Sequence, residues 1–233
     1  MHPPDGGSLP VRAIPLRRPP QLSVVGGRFV PERVALDAVD AAWERLRARI
    51  PRAHDGAMLH VLGTSRNGHG GVTIHCIETS YRFHAVAQEG IDTGVRPLGV
   101  KGICVAPDGQ LLLGQRSAQT LNYPGLWEFV PGGTAEPGTA LPAMVLRELQ
   151  EETGWQATAP PVARALLFDP QVRTWEVVFA IAVAPPRVPL ESWECDRLRL
   201  ATPGALPQPL SPVAQQMIPF ALAEHRAHAR AAR

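Results

Sequence analysis

Cysteine and lysine are scarce in this sequence. The three cysteines, Cys76, Cys104 and Cys195, are far apart and form no Cys-x-x-Cys pair, so they predict neither a disulfide framework nor a zinc site. We interpret them as buried thiols in a reducing cytoplasm. Lys101 is the only lysine among the 23 basic residues, and we attribute this to a compositional bias rather than to function.

A strong net charge and long apolar runs are also absent. The formal net charge of +2 is too small and too dispersed for a dedicated nucleic-acid binder, which usually clusters its basic residues on one face. No apolar run reaches the roughly 18 residues of a membrane span. The N-terminus has proline-rich polar sequence where a signal peptide has an apolar core. We therefore expect a cytoplasmic protein that binds neither a membrane nor nucleic acid.

The composition indicates a folded chain, which we divide into three parts. Hydrophobic residues make up 45% of the sequence, enough for a sizeable core. Residues 1–20 hold six prolines and no apolar period, so they predict a mobile arm. Residues 21–94 predict a small N-terminal α+β appendage domain. In it, an amphipathic helix over 34–50 is followed by strands over 58–65 and 71–87 that form a hairpin.

Residues 95–233 form the larger predicted unit. Its predicted strands span residues 98–106, 110–117, 126–130, 164–171 and 174–184. A helix is predicted over residues 140–153, with Thr139 as its N-cap and Gly154 as its end. After the last strand the sequence is irregular and proline-rich, and a final helix is predicted over 212–230.

Three acidic residues crowd one face of the helix predicted over residues 140–153. Glu148, Glu151 and Glu152 are related by steps of three and four residues, so their carboxylates project together. Like charges at this spacing repel, and a hard divalent cation would reverse the sign of that interaction. Glutamate-rich helix faces are often simply solvated. The Gly132-Gly133 turn just upstream favours a metal site, because its bare backbone can approach a ligand closely.

The stretch from Gly133 to Trp155 resembles the Nudix box, G-x5-E-x7-R-E-U-x-E-E-x-G-U, where U is a bulky apolar residue. Eight of the nine specified positions match, and Thr139 stands where the pattern has its first glutamate. The resemblance implies a Nudix fold of the α/β (α+β) class, a mixed β-sheet sandwiched between helices. In the family the first glutamate helps to hold the box arginine, so Arg147 is expected to rely on Glu136 or on another acceptor.

The resemblance also implies roles for the box residues. Glu148, Glu151 and Glu152 would bind Mg²⁺ or Mn²⁺, with the Gly132 carbonyl as a further ligand. Arg147 would orient Glu148. The metal would neutralise diphosphate oxygens and activate a water for attack on phosphorus.

The base that takes the proton from this water varies within the family. Either a box glutamate, Glu151 or Glu152, or a glutamate from a later loop would take it. The later candidates are Glu176, Glu191 and Glu194. We favour Glu194 because it lies in a loop that can swing over the site, whereas Glu176 falls in a predicted strand.

The box indicates the reaction but not the substrate. An N-terminal region of strands and a helix resembles the arrangement in relatives that act on ADP-ribose or nucleotide sugars, where it can serve in homodimerisation and close the pocket. Pro170, fifteen residues after Trp155, lies at about the place where a proline accompanies ADP-ribose activity in the family. The candidate substrate contacts are Tyr123, Trp127 and Arg82, followed by Tyr81 and Trp175.

The leading hypothesis is thus a Mg²⁺-dependent pyrophosphohydrolase of a nucleoside diphosphate derivative. The main alternative, motivated by Thr139, is a Nudix-fold nucleotide-binding or regulatory module with weakened catalysis. Diphosphate isomerase chemistry is a third hypothesis. It would require a reactive cysteine near the metal, and Cys104 falls in a predicted buried strand.

Overall fold

The computed structural model describes residues 12–68, 70–188, 190 and 192–231. A first short strand is followed by the elements of the N-terminal appendage. These are β1 (Arg12–Pro15), β2 (Gln21–Arg28), α1 (Leu36–Arg49), β3 (Ala57–Arg66), β4 (Val72–Ser80) and α2 (Tyr81–Ala85), after which Val86–Glu89 forms a 3-10 turn.

The rest of the chain contains one large sheet and two long helices. Its elements are β5 (Leu98–Val105), β6 (Leu111–Arg116), β7 (Trp127–Phe129), β8 (Gly132–Thr134), α3 (Leu141–Thr153), β9 (Gln156–Ala157), β10 (Val162–Asp169), β11 (Thr174–Ala184), β12 (Cys195–Ala201) and α4 (Pro212–Ala231). The predicted α+β class is confirmed. No helix in the described part of the chain has the length and apolar composition that a membrane span requires.

The large sheet is mixed, with the order β1-β10-β11-β5-β6-β12. β11 runs parallel to β5, while β10 and β12 pair antiparallel with their neighbours. The three shorter strands β7, β8 and β9 pair with β6, β5 and β11 respectively. Because β5 is central and β8 lies beside it, the sheet places the Gly132-Gly133 turn next to the middle of the fold.

The two long helices cover opposite faces of this sheet. Successive side chains of a strand point to opposite faces. Val177 of β11 belongs to the apolar cluster that contains α3, and Val178 belongs to the cluster that contains α4. Both β11 residues are fully buried, which explains why the strand is a nearly continuous apolar run.

The helix α3 begins and ends where glycine and proline chemistry dictates. Ala140 precedes it without a side-chain cap, and Pro142 lies in the first turn, where a missing N–H costs little. Gly154 ends the helix in the left-handed conformation, with φ of 72°. The sequence predicted Thr139 as the N-cap. The helix instead begins one residue later, and no side chain caps it.

The appendage has its own small sheet and core. β4 lies between β2, which is parallel to it, and β3, which is antiparallel. This confirms the predicted hairpin, but the second strand ends at Ser80. Residues predicted to extend it form α2, because Phe83 and Ala85 turn inward onto the core of α1. The Leu59 N–H donates to the Ala135 carbonyl at 2.9 Å, which joins the appendage to the larger unit.

The first described residues differ from the predicted arm. Arg12–Pro15 pairs antiparallel with β10 at the edge of the large sheet. Ile14 and Leu16 are buried, at 8% and 7% exposure, so apolar packing holds this segment in place. The rest of the predicted arm before residue 12 lies outside the described residues.

The proline-rich stretch after β11 also contains an unpredicted edge strand, β12.

Candidate active site

The glycine turn before α3 places its backbone against the acidic face of that helix. The Gly132 N–H donates toward both carboxyl oxygens of Glu152, at 3.2 and 3.3 Å. At Gly133, an added Cβ atom would overlap the carboxyl group of Glu148. Glycine therefore leaves the space that this close approach requires. The turn and the helix, which the sequence placed side by side, form one site.

Burial governs the protonation of these two carboxyl groups. Glu152 is only 3% exposed. Burial, together with the negative charge of Glu194, raises the pKa of Glu152 to about 8. Burial also raises the pKa of Glu148 to about 7, with a smaller contribution from Glu151. A desolvated carboxylate is unfavourable until a cation compensates its charge. The electrostatics of this wall therefore suit a cationic ligand.

Arg147 links the acidic helix to the loop that precedes it. Its Nη2 lies 2.7 Å from Glu136 Oε1, and its Nη1 lies 3.2 Å from Glu136 Oε2. Nη2 also lies 3.4 Å from Glu148 Oε1. The sequence left open whether Glu136 or another acceptor would replace the glutamate missing at Thr139. Glu136 makes this contact, and Arg147 connects it to Glu148.

Glu151 stands apart from the other two glutamates of the helix. Its side chain is 63% exposed, and Oε1 lies 3.9 Å from Arg147 Nε. Within the described ranges, no group of three histidine, cysteine, aspartate or glutamate side chains is arranged to hold a metal ion. The donors nevertheless fit one, because Glu148 and Glu152 offer buried carboxyl oxygens of the kind that Mg²⁺ and Mn²⁺ prefer. Glu151 and the Gly132 carbonyl stay predicted ligands.

The acidic wall opens into a cavity of about 580 Å³ between the appendage and the larger unit. A cavity of this size is typical of small-molecule sites. The larger unit contributes Lys101, Arg116, Tyr123, Gly133, Glu148, Glu176 and Glu194 to its lining, and the appendage contributes His54, Met58, Tyr81 and His84. Both units therefore form walls of the same site.

Glu194 lines the cavity immediately before β12. Its Oε2 lies 3.5 Å from Arg116 Nη1, and its backbone carbonyl accepts the Ser117 N–H at 2.8 Å. These two contacts fix both the backbone and the side chain. Glu176, the second candidate base, also lines the cavity but belongs to β11, as the sequence predicted. The third candidate, Glu191, lies outside the described residues.

Comparison with known proteins identifies the family of this site. A family model described as the NUDIX domain matches residues 95–221, more than half of the chain and the whole of the glycine turn and acidic helix. The chain belongs to the Nudix family. The E. coli (strain K12) protein named CTP pyrophosphohydrolase is 41% identical over 64 residues, which are 28% of this chain and 46% of that protein. The match thus spans less than half of this relative's length.

Solved Nudix structures also match, at low identity. A MutT NUDIX hydrolase from Burkholderia pseudomallei is 21% identical, with a TM-score of 0.45 over 53% of this chain and 96% of the other. A bifunctional NMN adenylyltransferase/ADP ribose pyrophosphatase from Francisella tularensis is 18% identical, with a TM-score of 0.47 over 61% of this chain and 46% of the other.

The structure separates the predicted substrate contacts of this Nudix chain. Tyr123 lines the cavity, and its hydroxyl donates to Asp169 Oδ2 at 2.6 Å. Trp127 is 7% exposed and packs in the core beneath α4. Arg82 forms ion pairs within the appendage, 3.1 Å from Asp40 and 3.6 Å from Asp55. Neither Trp127 nor Arg82 is among the cavity-lining residues of the described chain, and their substrate contacts stay predictions.

Of the two further aromatic candidates, one lines the cavity and the other does not. Tyr81 lines the cavity from α2. Trp175 packs against Phe168, with ring centroids 4.9 Å apart, and is not among the cavity-lining residues of the described chain.

Sequence reasoning missed a buried charged pair on the cavity floor. Lys101 Nζ lies 2.7 Å from Glu128 Oε2, and the two side chains are 12% and 5% exposed. Burial opposes both charges. The attraction of Glu128 nevertheless raises the pKa of Lys101, and that of Lys101 and Arg116 lowers the pKa of Glu128. The sequence does contain an indication of this pair. Each of the two residues interrupts an otherwise apolar strand, and a charged side chain is rarely buried there unless it is paired.

Proposed function

We propose that this Nudix protein is a pyrophosphohydrolase that cleaves the diphosphate linkage of a nucleoside diphosphate derivative with the help of Mg²⁺ or Mn²⁺. One observation carries the proposal. Glu148 lines the cavity, and the buried Glu152 lies on the same helix face; both are held against a glycine turn, although burial disfavours the charge of both. A helix whose role was only structural would gain from solvating these carboxyl groups or pairing them with lysines.

Glu148, Glu152 and Glu151 are the side chains that would hold the metal. A bound Mg²⁺ or Mn²⁺ supplies positive charge for the diphosphate oxygens and lowers the pKa of a water. Arg147 acts on Glu148, since it lies between Glu148 and Glu136 and fixes the direction of the carboxylate. We retain the Gly132 carbonyl as a further proposed ligand.

Glu194 is the proposed general base. Its side chain lines the cavity near the acidic wall, and Arg116 limits its freedom. The oxygen of a water forms a bond to phosphorus, the bridging P–O bond breaks, and Glu194 takes the proton. The products are a nucleoside monophosphate and the phosphorylated remainder. Glu151 and Glu152 are the alternative bases.

ADP-ribose or a nucleotide sugar is the proposed substrate class, ahead of nucleoside triphosphates. The two-walled cavity supports this order, because the appendage encloses more of a ligand than the box wall alone would. The name of the E. coli relative makes CTP the triphosphate to compare with them.

The test is incubation with Mg²⁺ and a panel of ADP-ribose, nucleotide sugars, CTP and the other triphosphates, scored for released nucleoside monophosphate. We expect the protein to hydrolyse at least one compound and to lose this activity when a chelator removes the metal. In Glu152→Gln the rate of hydrolysis should fall roughly a hundredfold or more. Glu44→Gln on the exposed face of α1 is the matched control and should leave the rate unchanged. No turnover of any compound, or full activity of Glu152→Gln, contradicts the proposal.

A nucleotide-binding module without catalysis is the second candidate, and Thr139 is its only motivation. Because Glu136 already supplies the acceptor for Arg147, hydrolysis is the better supported function. If this candidate is correct, calorimetry should detect nucleotide binding without any release of monophosphate.

We also propose a cytoplasmic location, with which three free and buried cysteines are consistent, and homodimerisation through residues 21–94.

A further inference from the structure

Tyr123 lines the cavity in a backbone conformation that tyrosine rarely adopts. Its φ of 54° lies in the left-handed region, and apart from Arg173 no other non-glycine residue of the described chain has a positive φ. A bulky side chain is unfavourable in this region, which glycine and asparagine tolerate better. The next residue is Pro124, which restricts the backbone before it still further. An unfavourable conformation of this kind at a cavity indicates a functional constraint on the side chain.

The hydroxyl group of Tyr123 is anchored to the large sheet. It donates to Oδ2 of Asp169 at 2.6 Å, and Asp169 is fully buried at the end of β10. The second carboxyl oxygen of Asp169, Oδ1, accepts the backbone N–H of Gln171 at 2.9 Å, in the turn between β10 and β11. Asp169 therefore uses one oxygen to shape the turn and the other to hold the end of the tyrosine side chain.

The tyrosine is also held at its backbone and along its ring. The Tyr123 carbonyl accepts the Leu126 N–H at 3.1 Å, and the side chain packs against the apolar cluster beneath α4. The ring is thus fixed before any ligand enters, so binding requires no further ordering of this side chain. A fixed aromatic ring in a cavity wall provides a surface on which a planar group can stack.

Strand register sets the distance between this anchor and the acidic helix. The pairing runs from Asp169 in β10 through β11 and β5 to Gly133 in β8, where the Glu148 carboxyl group approaches the backbone. The path crosses three strand spacings of about 4.8 Å and moves three residues of about 3.3 Å along the strands, so the Cα atoms of Asp169 and Gly133 are roughly 17 Å apart. An extended nucleoside diphosphate has a comparable length. Phosphates at the glycine turn therefore leave the base within reach of Tyr123.

The chemistry of Tyr123 favours stacking over a hydrogen bond to the ligand. Because Asp169 engages the hydroxyl proton, the part of the side chain that remains for a ligand is the face of its ring. Every nucleobase has a flat π face, so stacking on an aromatic ring tolerates different bases. A sugar phosphate has no such face. The ring therefore distinguishes a nucleotide from a sugar phosphate more than it distinguishes one base from another.

We propose that the nucleobase of the substrate stacks on the ring of Tyr123 and that Asp169 is the positioning residue that fixes this ring. This inference rests on the proposed function for its ligand class. It differs in its subject, which is the binding of the base rather than cleavage. The sequence predicted only a substrate contact at Tyr123; the structure adds the part of the ligand that it binds and the residue that holds it.

The first experiment uses the unmodified chain and needs no turnover. Calorimetry with Mg²⁺ measures the affinities for AMP, CMP, UMP and the base-free ligand ribose 5-phosphate. Purine riboside 5′-monophosphate, which lacks the amino group of AMP but keeps its rings, tests whether hydrogen bonding contributes. We expect the best-bound nucleotide to bind about ten- to a hundredfold more tightly than ribose 5-phosphate. Purine riboside 5′-monophosphate should bind nearly as tightly as AMP.

The second experiment tests the ring and its anchor separately. Tyr123→Leu removes the ring and should lower the affinity for the nucleotides about ten- to a hundredfold, with unchanged affinity for ribose 5-phosphate. Tyr123→Phe keeps the ring but removes the hydrogen bond to Asp169. Because the ring must then be ordered when the ligand binds, the affinity for the nucleotides should fall about two- to tenfold.

Two further variants test the positioning role and the specificity of the effect. Asp169→Asn keeps an oxygen for the turn and gains an amide group that can donate to the Tyr123 oxygen, so it should retain most of the affinity. The matched control Phe168→Leu removes the aromatic ring beside Asp169. Phe168 packs against Trp175 and is not among the cavity-lining residues of the described chain, so this variant should change none of the affinities.

Three outcomes overturn the stacking on Tyr123. They are equal binding of the nucleotides and ribose 5-phosphate by the unmodified chain, unchanged nucleotide affinity in Tyr123→Leu, and an equal weakening of ribose 5-phosphate in Tyr123→Leu. Unchanged nucleotide affinity in Tyr123→Phe rejects the positioning role of Asp169. If base-dependent binding through Tyr123 is found but no compound is hydrolysed, the proposed function fails and this inference stands. If a compound is hydrolysed but binding ignores the base, only this inference fails.

Discussion

The buried ion pair between Lys101 and Glu128 allows a quantitative test of the structure that is independent of activity. Lys101→Met keeps the length of the side chain but leaves Glu128 buried without its partner. Removing one member of a buried pair costs roughly 3–5 kcal/mol. Arg116 Nε lies 4.0 Å from Glu128 Oε2 and still compensates part of the Glu128 charge in this variant. We therefore expect a destabilisation at the lower end of that range. A loss of about 3 kcal/mol lowers Tm by roughly 6–12 °C in a chain of this size.

Thermal unfolding by circular dichroism measures this change. Lys101→Met/Glu128→Leu removes both charges and should recover most of the lost stability, because the cost lies in the unpaired carboxylate and not in the missing attraction. Arg47→Met breaks an exposed pair with Glu44 and should change Tm by no more than a few degrees. A double variant as unstable as Lys101→Met, or a Lys101→Met variant as stable as the native chain, refutes the reasoning.

The same pair predicts a pH dependence. The pKa of Glu128 is lowered in the folded chain, so the pair contributes its stability above the unfolded pKa of about 4.5 and loses it as pH falls through the folded pKa. In Lys101→Met the remaining carboxyl group can take up a proton at mildly acidic pH. The stability gap between the two proteins should therefore narrow as the pH falls from neutral. A gap that widens on acidification would contradict the assigned charges.

Two further predictions concern the loop and turn that hold the acidic helix. Glu136→Gln should lower kcat about two- to fivefold, because the Arg147 pair is partly exposed, at 39% and 48%, and is worth about 0.5–1 kcal/mol. Gly133→Ala should raise the Mg²⁺ concentration for half-maximal activity about tenfold or more, since the new methyl group displaces the Glu148 carboxyl. Gly26→Ala is its control, because no atom lies within 4 Å of the added Cβ.

Thr139→Glu separates two explanations of the Glu136 effect. If Arg147 needs only a carboxylate acceptor, Thr139→Glu should restore activity to Glu136→Gln and add little to the native chain. If activity instead rises well above the native level in Thr139→Glu alone, Glu136 is an inadequate substitute. A normal Mg²⁺ requirement in Gly133→Ala would show that the turn does not constrain Glu148.

Local sequence patterns predicted the parts of the site that lie on one element or on its neighbour. Glu148 and Glu152 are four residues apart on a helix, so helical geometry alone puts them on one face. The glycine turn follows from its position just upstream of that helix. Arg147 and Glu136 are also close in sequence, and their contact was among the acceptors considered.

The cavity floor could not be predicted in the same way, because it depends on strand register. Trp127 and Glu128 are adjacent in β7 and therefore point to opposite faces. The sequence does not show which face is buried under α4, and in the structure Glu128, not Trp127, lines the cavity. Lys101 is 27 residues away from Glu128 in sequence, and only the arrangement of β5, β6 and β7 brings them together.

The edge strand β12 and the short helix α2 were not predicted, for a different reason. β12 alternates exposed and partly buried residues in a proline-rich region, with Leu198 and Leu200 packed against the core. Two leucines are a weak period-2 signal. In α2 the run from Tyr81 to Ala85 has a strand-like composition, and tertiary packing on α1 overrides that local preference.

The pairing of β1 with β10 determines how the appendage is attached to the large sheet. The chain leaves the large sheet after Leu16, whose N–H still donates to Arg164 of β10, and returns to it at β5. The appendage is therefore tethered to the large sheet at both ends and is not a tail attached at one. Between the tethers, the N–H groups of Leu59 and Val61 donate to Ala135 and Arg96, so the appendage is also held along its wall. Shortening the chain by its first 20 residues would free one tether and expose the unpaired edge of β10.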